Sequence, residues 1–339
     1  MTGERRVVND GEKDRTQATH PGRRSAASNF GDGRRVLLIG SSGFLGSAIA
    51  RDLEARGWPV TYFVHNSPGI PGRDEAIRGD LADLDSLRRA CSGHDMVINA
   101  ASYVGSDSDA QHRVNAAGGA NLARAVELTG VSRLLYISST SVYSGQVPNG
   151  SSERSSGFTP RSTLSASRLA AEKATIDVGG VVLRPHLVYG RGDTFFLPPL
   201  MKAMGAVGGW IEGGRARVSA ISSDALARAA VDVAAAPPSQ LKHTIFHAAH
   251  PQPVTVKELV EKALEEGGLR GPERSFGIEH ARDMLVPRGV SESQIAMVAI
   301  DNWVDSRLLW ETLAAPPGPQ IHMPPETGSW YRSRLAPAS

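Results

Sequence analysis

The chain has 339 residues, 40% of them hydrophobic and 21% charged, with a formal net charge of +2. It is long enough to bury a large core, as one two-lobed unit or two domains, and too nearly neutral to argue for nucleic acid or an anionic membrane as a partner. The one cysteine, Cys91, excludes an intrachain disulfide and a cysteine-built zinc centre, and no metal is expected. No apolar run approaches the ~20 residues that cross a bilayer. Residues 1–33 set Arg and Asp side by side with no apolar stretch. They do not resemble a signal peptide and are expected to form a disordered tail, which leaves the cytoplasm as the default location.

From Arg35 the pattern changes. "RVLLIG" is a short apolar run ending in glycine, suited to a strand buried on both faces. "SSGFLGSAIARDLEARG" has helical spacing in Phe44, Leu45, Ile49 and Leu53 and closes at Gly57. "VTYFVH" and "AIRGD" are the second and third strands, "LADLDSLRRACSG" is a helix, and "DMVINAA" is the fourth strand. "HRVNAAGGANLARAVELTG" is a further helix leading into the strand "RLLYISS". Strands alternating with helices predict a doubly wound, Rossmann-type parallel sheet of the α/β class. Beyond Val182 come "VVLRPHLVYG", the apolar "FFLPPLMKAMGAV", "RVSAISSDALARAAVDVAAA", "TIFHAAH" and "TVKELVEKALEEGG". This half is less regular and reads as a smaller C-terminal lobe interrupted by returns to the sheet.

"GSSGFLG" sets Gly40, Gly43 and Gly46 between the first strand and helix. Gly40 permits a tight turn, Gly43 lets the backbone approach a pyrophosphate, and Gly46 lets the helix pack on the strand. Turns and close packing need glycine on their own account. It is the opening of a βαβ array that turns the triplet into a nucleotide-binding signal.

The GxxGxxG spacing resembles the extended, epimerase/dehydratase-like branch of the short-chain dehydrogenase/reductase superfamily. "GDLAD" with Asp80 and Leu81 is similar to that family's adenine-contacting segment, and "NAAS", Asn99 to Ser102, to the segment beneath the cofactor. "VNAAGGANL" supplies Asn115 and Gly118. "YISSTSVY" resembles the strand carrying the active-site Ser or Thr, "LRPHLVYGRGD" the entry to the substrate lobe, and "TGSWYRSR" the last helix. The resemblance spans roughly 35–334. It implies a dinucleotide-binding domain over 34–184, with returns from about 216–250, and a mainly substrate-binding lobe over 185–335. It also implies cofactor contacts from Gly40, Ser42, Gly43, Phe44, Leu45, Gly46, His65, Asp80 and Leu81, and from Ala100, Ala101, Ser102, Arg168 and Pro185.

An NAD-preferring site holds the adenosine ribose with an acid at the end of the second strand. That place is read as Val64, which cannot accept a hydrogen bond. His65 follows, with Arg73 nearby, so NADP(H) is expected ahead of NAD(H). His65 reads equally as a solvated residue at a strand end.

The family pattern places the catalytic Ser/Thr on Ser139, where a serine capping a strand end is the alternative. It then expects Tyr-x-x-x-Lys on "TLSASRLAAEKA", in a register marked by Ser167 and Glu172; Leu164 and Arg168 stand at the two positions. Arg168 can still bond the nicotinamide ribose, but it is a poor proton donor at neutral pH. Three replacements for the tyrosine are open: a side chain (His186, Tyr103 or Ser165), water, or a phenol on the substrate beside its ketone. The last belongs to aromatic polyketides, and the chain resembles atypical ketoreductases of angucyclinone, simocyclinone-type pathways. The leading expectation is therefore an NAD(P)H-dependent ketoreductase acting on such a small molecule, with the oligomeric state left open. A nucleotide-sugar epimerase or dehydratase is the second reading, and a silent NADP-binding regulatory or scaffold protein the third.

Overall fold

The structure, a computed structural model, describes residues 33–65, 76–143, 149–154, 157 and 159–335. The tail expected over 1–33 lies outside these, except for its last residue, as does Arg73. In chain order the first half builds β1 (Val36–Ile39), α1 (Phe44–Ala55), β2 (Val60–Val64), β3 (Ala76–Arg78), α2 (Leu84–Cys91), β4 (Met96–Asn99), α3 (Ser108–Gln111), α4 (Gly118–Thr129), β5 (Arg133–Ile137), α5 (Thr163–Asp177) and β6 (Val181–Pro185). A π-helical stretch, His112–Ala117, joins α3 to α4, so the helix expected from His112 begins earlier.

The second half contributes β7 (Leu187–Tyr189), α6 (Leu197–Val207), β8 (Trp210–Ile211), β9 (Arg217–Val218), β10 (Ala220–Ser222), α7 (Ser223–Ala235) and β11 (Ile245–Ala248). After them come β12 (Val254–Thr255), α8 (Val256–Gly267), β13 (Ser275–Phe276), α9 (Ile278–Leu285), α10 (Glu292–Ala299), α11 (Arg307–Leu313) and α12 (Pro325–Leu335).

Seven strands form one all-parallel sheet in the order β11-β6-β5-β4-β1-β2-β3. Strand alternation divides the core. Val36 and Leu38 of β1 pack with α1 and α7, while Leu37 and Ile39 pack with α2 and α4 on the other face. This is the doubly wound, Rossmann-type α/β fold expected. The order reverses between β1 and β4, and ligands of such sheets bind in the crevice at that switch point.

"VVLRPHLVYG" divides in two. β6 stays in the central sheet beside β5 and β11, whereas β7 pairs with β10 in a separate two-stranded sheet. His186, between the two strands, stands where the chain leaves the main sheet. A second core gathers around α6, α8, α9, α10 and α12, with Leu197, Leu259, Ala281, Ile295 and Tyr331 at its centre. The described residues nevertheless form a single compact unit, so the two lobes are parts of one body. No helix among the described residues is long and apolar enough to cross a membrane.

Candidate active site

The Gly-rich turn sits at the switch point. Gly40 has φ +84°, and a Cβ there would lie 2.6 Å from the backbone nitrogen of Ala101 and 2.8 Å from the carbonyl carbon of Ala100. The ends of β1 and β4 therefore touch through a position that only glycine fills. A Cβ at Gly46 would come 2.0 Å from Gly40 O, which is the close helix–strand packing the motif needs. Gly43 differs: its Cβ would meet only Gly40 O, at 3.3 Å. It is the N-cap of α1 and makes no side-chain cap bond, leaving first-turn N–H groups for an anion. Ser42 is exposed on the turn, Phe44 packs under Gly192, and Leu45 packs against the core. Ser41, absent from the expected contacts, is 2% exposed and its Oγ has no hydrogen-bond partner. A glycine cradle, uncapped helix dipole and orphaned hydroxyl together fit the pyrophosphate of a nicotinamide dinucleotide.

At the far end of the crevice the reading of Val64 needs correction. Val64 is 5% exposed and packs inward with Leu38 and Ile49, so it cannot face a ribose. His65, the next residue, is the first exposed one. Its Nδ1 lies 3.2 Å from Gly79 O and 3.8 Å from the Asp80 carboxylate. Leu81 is buried, and its carbonyl accepts from Asn121 Nδ2 at 3.0 Å. Pro185 closes β6 opposite Ala248.

Two buried anchors fix the rotation of α5. Ser167 Oγ accepts from Asn115 Nδ2 at 3.1 Å. Glu172 takes a bidentate bond from Arg184, with Nε–Oε1 at 3.0 Å and Nη2–Oε2 at 2.5 Å, plus a bond from Ser138 Oγ. Leu164 and Arg168 lie one turn apart on this helix. Arg168 points Nε to Ser102 Oγ and Nη1 to Ser141 Oγ, each at 3.4 Å, and pairs with no carboxylate among the described residues. Burial pulls its pKa below the usual arginine value. The guanidinium thus bridges the segment after β4 and the segment after β5.

Ser139 follows β5. It caps a short 3₁₀ turn, Thr140–Val142, its Oγ accepting from Ser141 N–H at 3.1 Å. The capping role is therefore present, and it leaves the hydroxyl hydrogen to donate. Ser139 also lines a cavity of about 680 Å³ together with Ser165, His186 and Asn302. His186 Nδ1 donates to Ser219 O at 3.0 Å, and burial pushes its pKa down to about 4. Ser165 Oγ is held by Ser162 Oγ at 3.0 Å. Tyr103, the remaining candidate donor, folds over Gly105 instead of lining the cavity.

Tyr143 is the residue that sequence reasoning passed over. It lines the cavity, and its Oη accepts from Arg184 Nη1 at 2.8 Å and bonds His247 Nε2 at 2.6 Å. The far wall comes from α9 and α10 through Arg282, Gln294 and Met297. A tyrosine closing a short 3₁₀ turn gives no local sign of such a network, since its partners lie 41 and 104 residues away.

Residues 36–247 match the family model described as NAD dependent epimerase/dehydratase family. The chain belongs to this family. Among curated members of this kind, it is 28% identical over 274 residues to a 2-alkyl-3-oxoalkanoate reductase of Stenotrophomonas maltophilia, covering 73% of this chain and 80% of that protein. It is 27% identical to the 4-hydroxy-2-methyl-3-oxo-4-farnesyl-3,4-dihydroquinoline-1-oxide ketoreductase of Stigmatella aurantiaca, over 53% of this chain and 58% of the relative. The crystal structure of Thermus thermophilus UDP-glucose 4-epimerase in complex with NAD superposes with a TM-score of 0.66 at 21% identity, covering 90% of this chain and all of the other. That likeness establishes the fold. The two relatives are named as reductases of ketones.

Proposed function

We propose that the chain is an NAD(P)H-dependent ketoreductase that reduces a ketone of an aromatic polyketide and takes the proton from a phenol beside that ketone. The observation that carries this reading is one cavity in which Ser139 and His186 meet, next to a helix presenting Leu164 and Arg168 instead of a tyrosine and a lysine. Support for a reductase of a carbonyl comes from the two relatives, one a 2-alkyl-3-oxoalkanoate reductase and the other a ketoreductase.

When bound, the nicotinamide supplies a hydride to the carbonyl carbon. Ser139 Oγ–H donates to the carbonyl oxygen and polarises it. As the C=O π pair moves onto oxygen, the substrate's own phenol O–H transfers its proton there, leaving an alcohol and a phenolate that water reprotonates. Arg168 holds the nicotinamide ribose from its seat beside Ser102 and Ser141. His186, neutral and with Nδ1–H engaged, offers Nε2 as an acceptor for a substrate hydroxyl and so orients the ring. For the cofactor, His65 in place of an acid supports NADP(H) ahead of NAD(H). Domain roles follow the same division, with 34–184 and the return through β11 holding the dinucleotide and 185–335 mainly the substrate.

The test is consumption of NADPH by purified protein across a panel of phenolic ketones. Turnover with ketones bearing an adjacent phenol supports the proposal. A protein that binds NADPH yet consumes none with any member is a silent binder.

A further inference from the structure

We propose that the outer face of the second lobe carries a binding site for a small amphipathic anion, separate from the reaction cavity and independent of the function assigned to it. Between α6, α8 and α12 lies a cavity of about 890 Å³, within the ~300–1,000 Å³ range of small-molecule sites. Its floor is apolar, built from Met201, Met204, Leu264, Leu269 and Trp330. Its edge is basic. Lys202, Arg270 and Arg334 line it and are exposed, and none pairs with a carboxylate among the described residues. Arg334 lies over the Trp330 ring, 5.6 Å from its centroid.

The single acid in the lining, Asp193, is engaged elsewhere. It is fully buried, and its carboxylate accepts the backbone N–H groups of Phe195, Phe196 and Leu197 and the hydroxyl of Tyr331. What remains is an apolar floor under three positive charges. A neutral apolar ligand would cover the cations without answering them, and a small polar anion would leave the floor wet. The complement is a single molecule with an acidic head and an apolar body.

Gly205 gives the experiment. It lines the cavity from within α6, and a Cβ there would meet open space. Leucine at this position projects into the cavity and favours the helix. Calorimetric titration of the full chain with decanoate, below its micellar concentration, and separately with decanol reads the site. Decanoate is expected to bind with one molecule per chain, and decanol about tenfold more weakly or worse. Gly205→Leu and the double change Lys202→Glu with Arg270→Glu should each weaken decanoate binding about tenfold or more. NADPH binding should stay at the parent value in both variants, and neither should melt below the parent. No binding of decanoate, equal binding of decanol, or parent affinity in Gly205→Leu would each overturn the proposal.

Discussion

The Nδ1 of His186 lies 3.0 Å from the carbonyl oxygen of Ser219, and the contact fixes which ring nitrogen carries the hydrogen. A carbonyl only accepts, so Nδ1 donates and Nε2 keeps the lone pair, with the Asn302 side chain beside the ring. With its pKa pushed down to about 4 by burial, the imidazole is neutral at physiological pH. It is an acceptor there and not the acid of the reaction. His186→Ala is therefore expected to retain turnover within about tenfold of the parent, since loss of a general acid costs ~10²–10⁴. The parent's pH–rate profile should show no inflection near the ordinary histidine value. A drop of several hundredfold would make His186 the proton donor.

His247 is buried in the same state. Its Nε2 meets Tyr143 Oη at 2.6 Å, its Nδ1 donates to Asp305 O at 2.9 Å, and burial pushes its pKa to about 4 as well. An unfolded chain titrates these rings near ~6.5, so it binds more protons than the folded one between the two values. Stability from both rings is present above that unfolded value and is lost as pH falls through the window toward 4. Burial raises Glu153 beside His247, which acts in the opposite direction, so the difference between variant and parent is the readout. The fall in melting temperature from pH 7 to about pH 4.5 should be smaller in His247→Gln than in the parent. Identical slopes would mean that His247 does not govern acid sensitivity.

Gly43→Val separates binding from folding at the Gly-rich turn. Gly43 has an extended backbone, φ −79° and ψ 172°, and an added Cβ meets only Gly40 O at 3.3 Å. The fold should tolerate valine while the branched side chain occupies the approach to the pyrophosphate. Fluorescence titration is expected to show dinucleotide affinity weakened by about tenfold or more, with melting little changed. Parent affinity would remove this turn from the site. Gly46→Val should fail differently, by unfolding, because its Cβ would overlap Gly40 O at 2.0 Å.

That contrast explains what could be read from the sequence. The three glycines, the alternating apolar runs and the Ser167–Glu172 register are local patterns, each set by one strand, turn or helix. Val64 does end β2, but its side chain belongs to the core with Leu38 and Ile49, and the pattern of one strand does not show that helices cover both of its faces. Tyr143, Arg184 and Glu172 could not be joined, because their contact depends on the parallel order of β5 and β6. The α10 wall went unread: its helix starts with a capping box, Ser291 with Gln294, which marks a helix start and gives no sign of what the helix covers.

His65→Asp tests cofactor choice at the position the structure exposes. An aspartate there would stand beside Asp80, repel a 2′-phosphate and accept from a ribose diol. The parent is expected to bind NADPH at least as tightly as NADH, and the variant to favour NADH by about tenfold or more. A parent that binds only NADH would defeat the preference.

Ser139 and the substrate divide the remaining work. Ser139 Oγ already accepts from Ser141 N–H at 3.1 Å, so its hydrogen is the one it can give to a carbonyl. Ser139→Ala should cost ~1–3 kcal/mol of transition-state stabilisation, roughly ten- to a hundredfold in kcat/KM. The proton is tested separately, by methylating the phenol next to the ketone. The methyl ether keeps the carbonyl and loses the acid, so its reduction should fall by ~10² or more. Leu164→Tyr restores a phenol one turn from Arg168. It should raise turnover of the methyl ether while doing little for the free phenol, which brings its own proton. Reduction of the methyl ether by the parent at the phenol's rate would show that the proton comes from the protein, and Tyr143→Phe would be the next variant to make.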